Sequence, residues 1–212
     1  VYCSIGENCL GQAVLDRLKV ASVLSPFAWA RSNIDYIQSI LEEDFADFPN
    51  PDFLHYRQRY QKLLVTNFKY RCTEGVFDPS VSQEFEFSHH DVLKTEEARA
   101  SMLRKVDRFR GLLRSDGMAV FLYHHRLSSD LTPVTRKLKL FKSTVGLSGP
   151  GPKVVVAFTQ RLVADDAQRR LELLQQDGIL LCVFHTRRKW AGTDADVFGL
   201  ADDDLFRAMI SC

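Results

Sequence analysis

The sequence has no apolar run near the roughly 20 residues that a membrane-crossing helix needs, so no bilayer span is expected. It also lacks a surplus of either charge. Lys and Arg total 28 against 27 Asp and Glu, a formal net charge of +1. Nucleic-acid binding normally shows as a strongly basic domain, so nucleic acid is not expected as a partner. Cysteine is sparse: Cys3, Cys9, Cys72, Cys182 and Cys212 are odd in number, widely spaced and without a C-x-x-C. This argues against a disulfide framework and a structural zinc site, and a reducing, cytoplasmic setting is the expectation. Neither G-x-G-x-x-G nor a P-loop occurs, which removes the usual glycine-rich cradles for dinucleotides and nucleoside triphosphates, and no cofactor is assigned. The absence of G-x-S-x-G leaves Ser4 a weak candidate for a serine nucleophile.

What is present is ample core material, 45% hydrophobic residues, in an ordered pattern. Residues 1–5 read as a short strand ending at Gly6. Leu10, Val14 and Leu18 then repeat at helical spacing, with Asn8 as N-cap. Ser32 with Asp35 suggests a second helix start, and residues 46–60, with Pro49 and Pro51, read as loop. Residues 63–70 and the strict alternation of residues 84–88 read as strands, and Thr95 caps a long helix carrying Met102, Val106 and Phe109. Apolar strands follow at 118–123, 153–158 and 179–184. Helices are expected from Thr132-Pro133, over 163–176 and over 202–210. Strand–helix alternation with near-continuous apolar strands implies a mostly parallel sheet with helices on both faces, a Rossmann-like three-layer α/β fold. Residues 1–212 are expected to form a single α/β domain with an irregular insertion around 46–92.

Three groups of residues carry chemistry. Cys9 falls where the first strand turns into the first helix. The positive end of a helix lowers a thiol pKa, and the Asn8 amide with the first-turn N–H groups can hold an oxyanion. The plain alternative is a buried cysteine packed on the sheet. His89-His90-Asp91 ends the alternating strand. If the alternation continues, His89 follows Phe85 and Phe87 inward, and His90 takes the polar face with Asp91 beside it. The alternative is a surface turn. His124, His125 and His185 lie at the carboxyl ends of parallel strands, where open α/β sheets bind ligands, with Arg187 just beyond. One of these histidines is a rival to His90 as the partner of Cys9. The Cys182 thiol, in an apolar run, reads as buried.

Ser4-Ile5-Gly6-Glu7-Asn8-Cys9, followed by Ser25-Pro26-Phe27-Ala28-Trp29, resembles a bacterial family named for a proposed papain-like cysteine peptidase activity. That family opens with Ser-x-Gly-x-x-Cys and continues with Ser-x-Pro-Phe-Asp-Trp. The resemblance extends to His90-Asp91, to the Arg-rich segment 104–109 and to the strand at 120–122, about the first 125 residues. It implies Cys9 as nucleophile and His90 as base, and a papain-like α+β fold as the alternative architecture. Ala28 departs from the family pattern, which has aspartate there. The expected activity is a cysteine hydrolase or acyltransferase in which Cys9 attacks, His90 moves the proton, Asp91 orients the imidazole and Asn8 holds the oxyanion. The expected substrate is a peptide or a glycan ester. The rival is a non-catalytic module binding a sugar or anionic ligand through His124, His125, His185 and Arg187. No metal ligand is assigned.

Overall fold

A computed structural model describes residues 1–59, 61–71, 84–126, 130–190, 192–193, 196–197 and 199–212. Cys72 lies outside the described residues. The chain runs through β1 (Tyr2–Ser4), α1 (Leu10–Arg17), α2 (Ile34–Glu42), β2 (Leu54–Arg59), β3 (Lys62–Arg71), β4 (Glu84–Phe87), α3 (Glu96–Arg114), β5 (Ala119–His124), α4 (Thr132–Gly146), β6 (Lys153–Leu162), β7 (Arg170–Gln176), β8 (Ile179–Thr186) and α5 (Asp203–Ser211). The main sheet has the order β1-β5-β6-β8-β7. Its first four strands are parallel, and β7 runs antiparallel at the edge. The protein is thus a mixed α/β fold built on a mostly parallel sheet.

The alternation of strand side chains divides the apolar residues into two clusters. Phe121, Tyr123, Val155, Ala157, Leu181 and Val183 pack with Ile37 and Ile40 of α2, Phe109 of α3, and Leu138 and Phe141 of α4. Their strand neighbours Val120, Leu122, Val156, Phe158, Cys182 and Phe184 pack with Leu10, Val14 and Leu15 of α1 and with Phe206 and Met209 of α5. This double use explains why β5 is buried along its whole length and reads as a continuous apolar run. The outer edge of β1 is closed by the segment after α1, where Val23 N–H donates to Tyr2 O at 2.8 Å. Thr95 caps α3 by accepting from Ala98 N–H. No described helix is long and apolar enough to cross a membrane.

Four local expectations are corrected. Residues 163–176 form a short 3-10 turn and the edge strand β7 rather than a helix. Asp177 and Gly178 both have positive φ, 53° and 72°, as a two-residue hairpin turn requires. This turn binds β7 to β8 and overrides the helical spacing. Residues 46–60 are not all loop, because 54–59 form β2 against β3. Its largely exposed His55, Tyr56, Arg57 and Gln58 hid the strand pattern. Asn33, not Ser32, caps α2, its side chain accepting from Tyr36 N–H. Finally, the alternating strand stops at Phe87, and His90 N–H donates to Phe87 O in the turn beyond.

β2, β3 and β4 form a separate antiparallel sheet. It meets the rest of the chain at Arg31, whose N–H and C=O exchange bonds with Glu86 at 2.9 Å each. The preceding segment is anchored at both ends. Ser25 Oγ donates to Ser4 O at 2.8 Å, and Phe27 inserts among Phe45, Phe48, Phe85 and Phe109. Edge-on aromatic pairs of this kind add about 0.5–1.5 kcal/mol each beyond burial. The buried Phe27 therefore locks the Arg31 segment between β1 and β4.

Candidate active site around Cys9

The chain leaves β1 still bonded to β5. Ile5 N–H donates to Leu122 O, and Glu7 N–H to His124 O at 3.1 Å. Gly6 is required by this closeness, since a Cβ there would stand 2.6 Å from His124 N. Cys9 then occupies the N-cap of α1, with its C=O accepting from Ala13 N–H. The helix starts one residue later than Asn8 capping predicts, although Asn8 Oδ1 still accepts from Leu10 N–H at 3.2 Å. The same oxygen accepts from His124 Nδ1 at 2.8 Å. The Nδ2 end of Asn8 has no partner among the described residues.

Beneath this turn lies a buried carboxylate. Glu7 Oε1 accepts from Tyr123 O–H and from His125 Nδ1, both at 2.7 Å, and Oε2 accepts from Arg126 N–H at 2.9 Å. Three donors compensate the carboxylate's lost hydration. Burial and the adjoining Glu7 hold the Tyr123 phenol well above its ordinary pKa. His124 is held well below its own by burial, then by Arg126 and His125, so the ring is neutral and stacks on Phe158 at 4.8 Å.

The net electrostatic effect at Cys9 is opposite to the sequence expectation. Burial pushes its thiol pKa up, against the lowering effects of its backbone hydrogen bond, Arg31 and Arg126. At neutral pH the resting group is therefore a thiol, and a base must remove its proton before attack. Cys9 is still the half-exposed thiol among those described. Cys3 and Cys182 are buried, each pushed up to about 12 by burial, and Cys212 is exposed near the chain end. Ser4 is also buried, its Oγ lacking a partner and facing Gly11.

Two guanidiniums, those of Arg31 and Arg126, act on the thiol. The buried Glu86 carboxylate holds Arg31 at 3.4 Å and Arg59 at 3.0 Å. Arg126, exposed at the surface beyond β5, feels the charges of Arg31, Glu7 and Arg59, and that of Cys9 once the thiol ionises. Its guanidinium has no hydrogen-bonded or ion-paired partner among the described residues.

The histidine turn lies across the Arg31 segment. His89 stands edge-on to Trp29, with ring centroids 5.4 Å apart. Its pKa is lowered by burial, then by Lys62 and Arg31. Arg31 thus acts electrostatically on both Cys9 and His89. Half-buried His90 turns toward α3, where its Nε2 accepts from Lys105 Nζ. Burial and Lys105 lower His90 to about 4, and burial lowers Lys105 to about 8. The carboxylate of Asp91 accepts from Tyr56 O–H and Lys94 N–H, not from His90. His89, His90 and Asp91 line a cleft of about 390 Å³ together with Lys62 and Phe87.

The remaining strand-end residues are not gathered into this site. His185 lies on β8, two strands beyond β5, with Nε2 2.8 Å from Glu172. Arg187 pairs with Asp166 at 3.1 Å. His124 and His125 are spent on Asn8 and Glu7. Among the described residues no group of three His, Cys, Asp or Glu side chains is placed to hold a metal ion. Sequence reasoning missed Glu7, Arg31, Arg59, Glu86, Lys105 and Arg126. Only Glu7, inside the quoted opening segment, carried a local signal. The others are joined by long-range strand and turn contacts.

No curated protein and no solved structure matches the chain. A family profile does, over residues 1–145, more than half of the chain, and it covers Cys9, the Arg31 segment and the histidine turn. The chain belongs to that family, described as "Putative papain-like cysteine peptidase (DUF1796)".

Proposed function

We propose that the protein is a cysteine hydrolase acting on acyl substrates, peptides first, with Cys9 as nucleophile and His89 as proton carrier. The observation that carries this reading is a half-exposed thiol at a helix N-cap, in a polar setting, within the stretch matched by the peptidase family. The Cys9 thiol gives its proton to a His89 ring nitrogen as Sγ bonds to the carbonyl carbon. The oxyanion forms against Asn8 Nδ2 and the first-turn N–H groups. Collapse breaks the C–N bond, and the His89 imidazolium protonates the leaving amine. Water then attacks the thioester, with His89 again as base, releasing the acid and the thiol. Ester hydrolysis or acyl transfer on a glycan uses the same parts.

The base is given to His89 rather than His90 for two reasons. Preference for His90 rested on the resemblance at His90-Asp91 and on strand alternation continuing, and the alternation ends at Phe87. His90 is also engaged by Lys105 and held to about 4, whereas His89 shares the field of Arg31 with the thiol. Asp91, taken by Tyr56, orients neither ring in this reading. We also read the architecture as Rossmann-like and three-layered, not papain-like, because the sheet side chains divide between two cores.

The test is hydrolysis of a mixed-sequence peptide pool, with products followed by mass spectrometry, by wild type, Cys9→Ala, His89→Gln and His90→Gln. Cys9→Ala is expected to abolish cleavage, and His89→Gln to lower it about 10²–10⁴-fold, as for loss of a general base. His90→Gln is expected to retain most of the activity. Unchanged cleavage by Cys9→Ala sinks the reading, and a reversed histidine order moves the base to His90.

A further inference from the structure

We propose that the Cys9 site recognises a substrate carboxylate beside the scissile carbonyl, with Arg126 as its principal contact and Arg31 and Arg59 adding positive charge. This deepens the cysteine hydrolase reading and rests on it for the word substrate. Arg126 enters this region through its backbone N–H, which donates to Glu7 two residues before Cys9, and Arg31 and Arg59 enter it through Glu86. Two of them share one carboxylate, since Arg31 and Arg59 both pair with Glu86. The other nearby carboxylate, Glu7, is consumed from below by Tyr123, His125 and the Arg126 backbone N–H. Arg126 is therefore fixed in place through its backbone, while its side chain stays exposed and has no carboxylate partner among the described residues.

Like charges that act on one another repel, and an arriving anion relieves that cost. Although the residue is exposed at the surface, crowding around its head group and the charges of Arg31 and Arg59 lower the Arg126 pKa, with Glu7 opposing them. Guanidinium presents a rigid fork of donors that fits carboxylate geometry with two parallel bonds. Arg126 is tied by its backbone N–H to Glu7 in the turn that carries Cys9, so a carboxylate held by Arg126 sets its neighbouring carbonyl toward Cys9. Two peptide features supply this chemistry: an acidic side chain next to the cleaved bond, and the free carboxylate of a chain end.

The first arm of the test needs no turnover. Iodoacetate and iodoacetamide alkylate a thiol by the same displacement and differ in charge. Their rates at Cys9 are read by mass spectrometry of the Cys9 peptide, as a ratio to the same pair of rates for 2-mercaptoethanol. Wild type is expected to favour iodoacetate about three- to tenfold more than the small thiol does, with the preference shrinking in high salt. Arg126→Gln is expected to remove that preference and Arg126→Lys to keep most of it. A wild-type ratio equal to that of the small thiol, or one unchanged in Arg126→Gln, overturns the proposal. The second arm compares kcat/KM for three peptides: Glu beside the scissile bond with an amidated end, Gln there with a free carboxyl end, and Gln with an amidated end. One of the first two is expected to be cleaved about tenfold faster than the third, which also identifies the source of the carboxylate. Equal rates overturn the substrate class. If no peptide is cleaved while the alkylation preference stands, the hydrolase reading fails and the anion site survives.

Discussion

Two carboxylate–histidine pairs lie toward opposite edges of the main sheet and look equivalent by distance alone. Glu7 meets His125 at 2.7 Å beneath Cys9, and Glu172 meets His185 at 2.8 Å at the far edge. Their surroundings differ. The Glu7 side chain is 9% exposed and accepts two further donors, whereas that of Glu172 is 37% exposed on an edge strand. Desolvation makes the first pair expensive to break, and solvent screening makes the second inexpensive. A short distance alone therefore does not identify a working site. Burial and the number of donors separate the pair that shapes the Cys9 turn from the pair that trims an edge.

The largest effects should fall where this comparison is tested directly. Glu7→Ala strands three donors and is expected to cost about 3–5 kcal/mol, whereas Glu172→Ala should cost much less. Urea denaturation of both variants checks this, and equal losses would break the comparison. The two sides can be contrasted again through glycine. Gly6→Ala pushes a Cβ into the β5 backbone and should cost about 1–3 kcal/mol, as overpacking does. Gly178→Ala, at φ 72° in the far hairpin, should cost about 1–2 kcal/mol from backbone strain. Only the first should change the alkylation rate of Cys9.

Much of this division was legible in the sequence, but not all. β5, β6 and β8 were readable because burial on both faces demands unbroken apolar runs. The Thr95 cap was readable because capping is local. The helix expected over 163–176 failed because Asp177-Gly178, a strong two-residue hairpin signal, was not weighed against helical spacing. The site was half readable. Cys9 and Asn8 sit in one contiguous segment, and His89-His90-Asp91 in another. Which way His89 and His90 face, however, depended on where the strand ended. Arg31, Arg59 and Glu86 converge through pairing between the Arg31 segment and β4, a contact no local pattern encodes. The thiol pKa was misjudged in direction because helix position is local, whereas burial is a property of the whole fold.

A smaller effect concerns acid. His90 has a folded pKa near 4 against an ordinary 6.5, so the unfolded chain binds the proton first as pH falls. The stability associated with neutral His90 is complete above about 6.5 and lost as pH falls toward 4, at no more than about 1.4 kcal/mol per pH unit for one proton. Buried His124 adds loss in the same direction. Urea midpoints measured between pH 7 and 4 should show this slope, and His90→Gln should flatten it in part. No flattening would mean that His90 is not held neutral by its place beside Lys105.

The account depends on Cys9 accepting an acyl group, and pre-steady-state release of nitrophenolate from p-nitrophenyl acetate tests that most directly. The prediction is a burst approaching one equivalent per chain, an acetyl group located on Cys9 by mass spectrometry, and loss of both in Cys9→Ala. Release without a burst at the same rate in wild type and Cys9→Ala, with no acetyl group on Cys9, would contradict it.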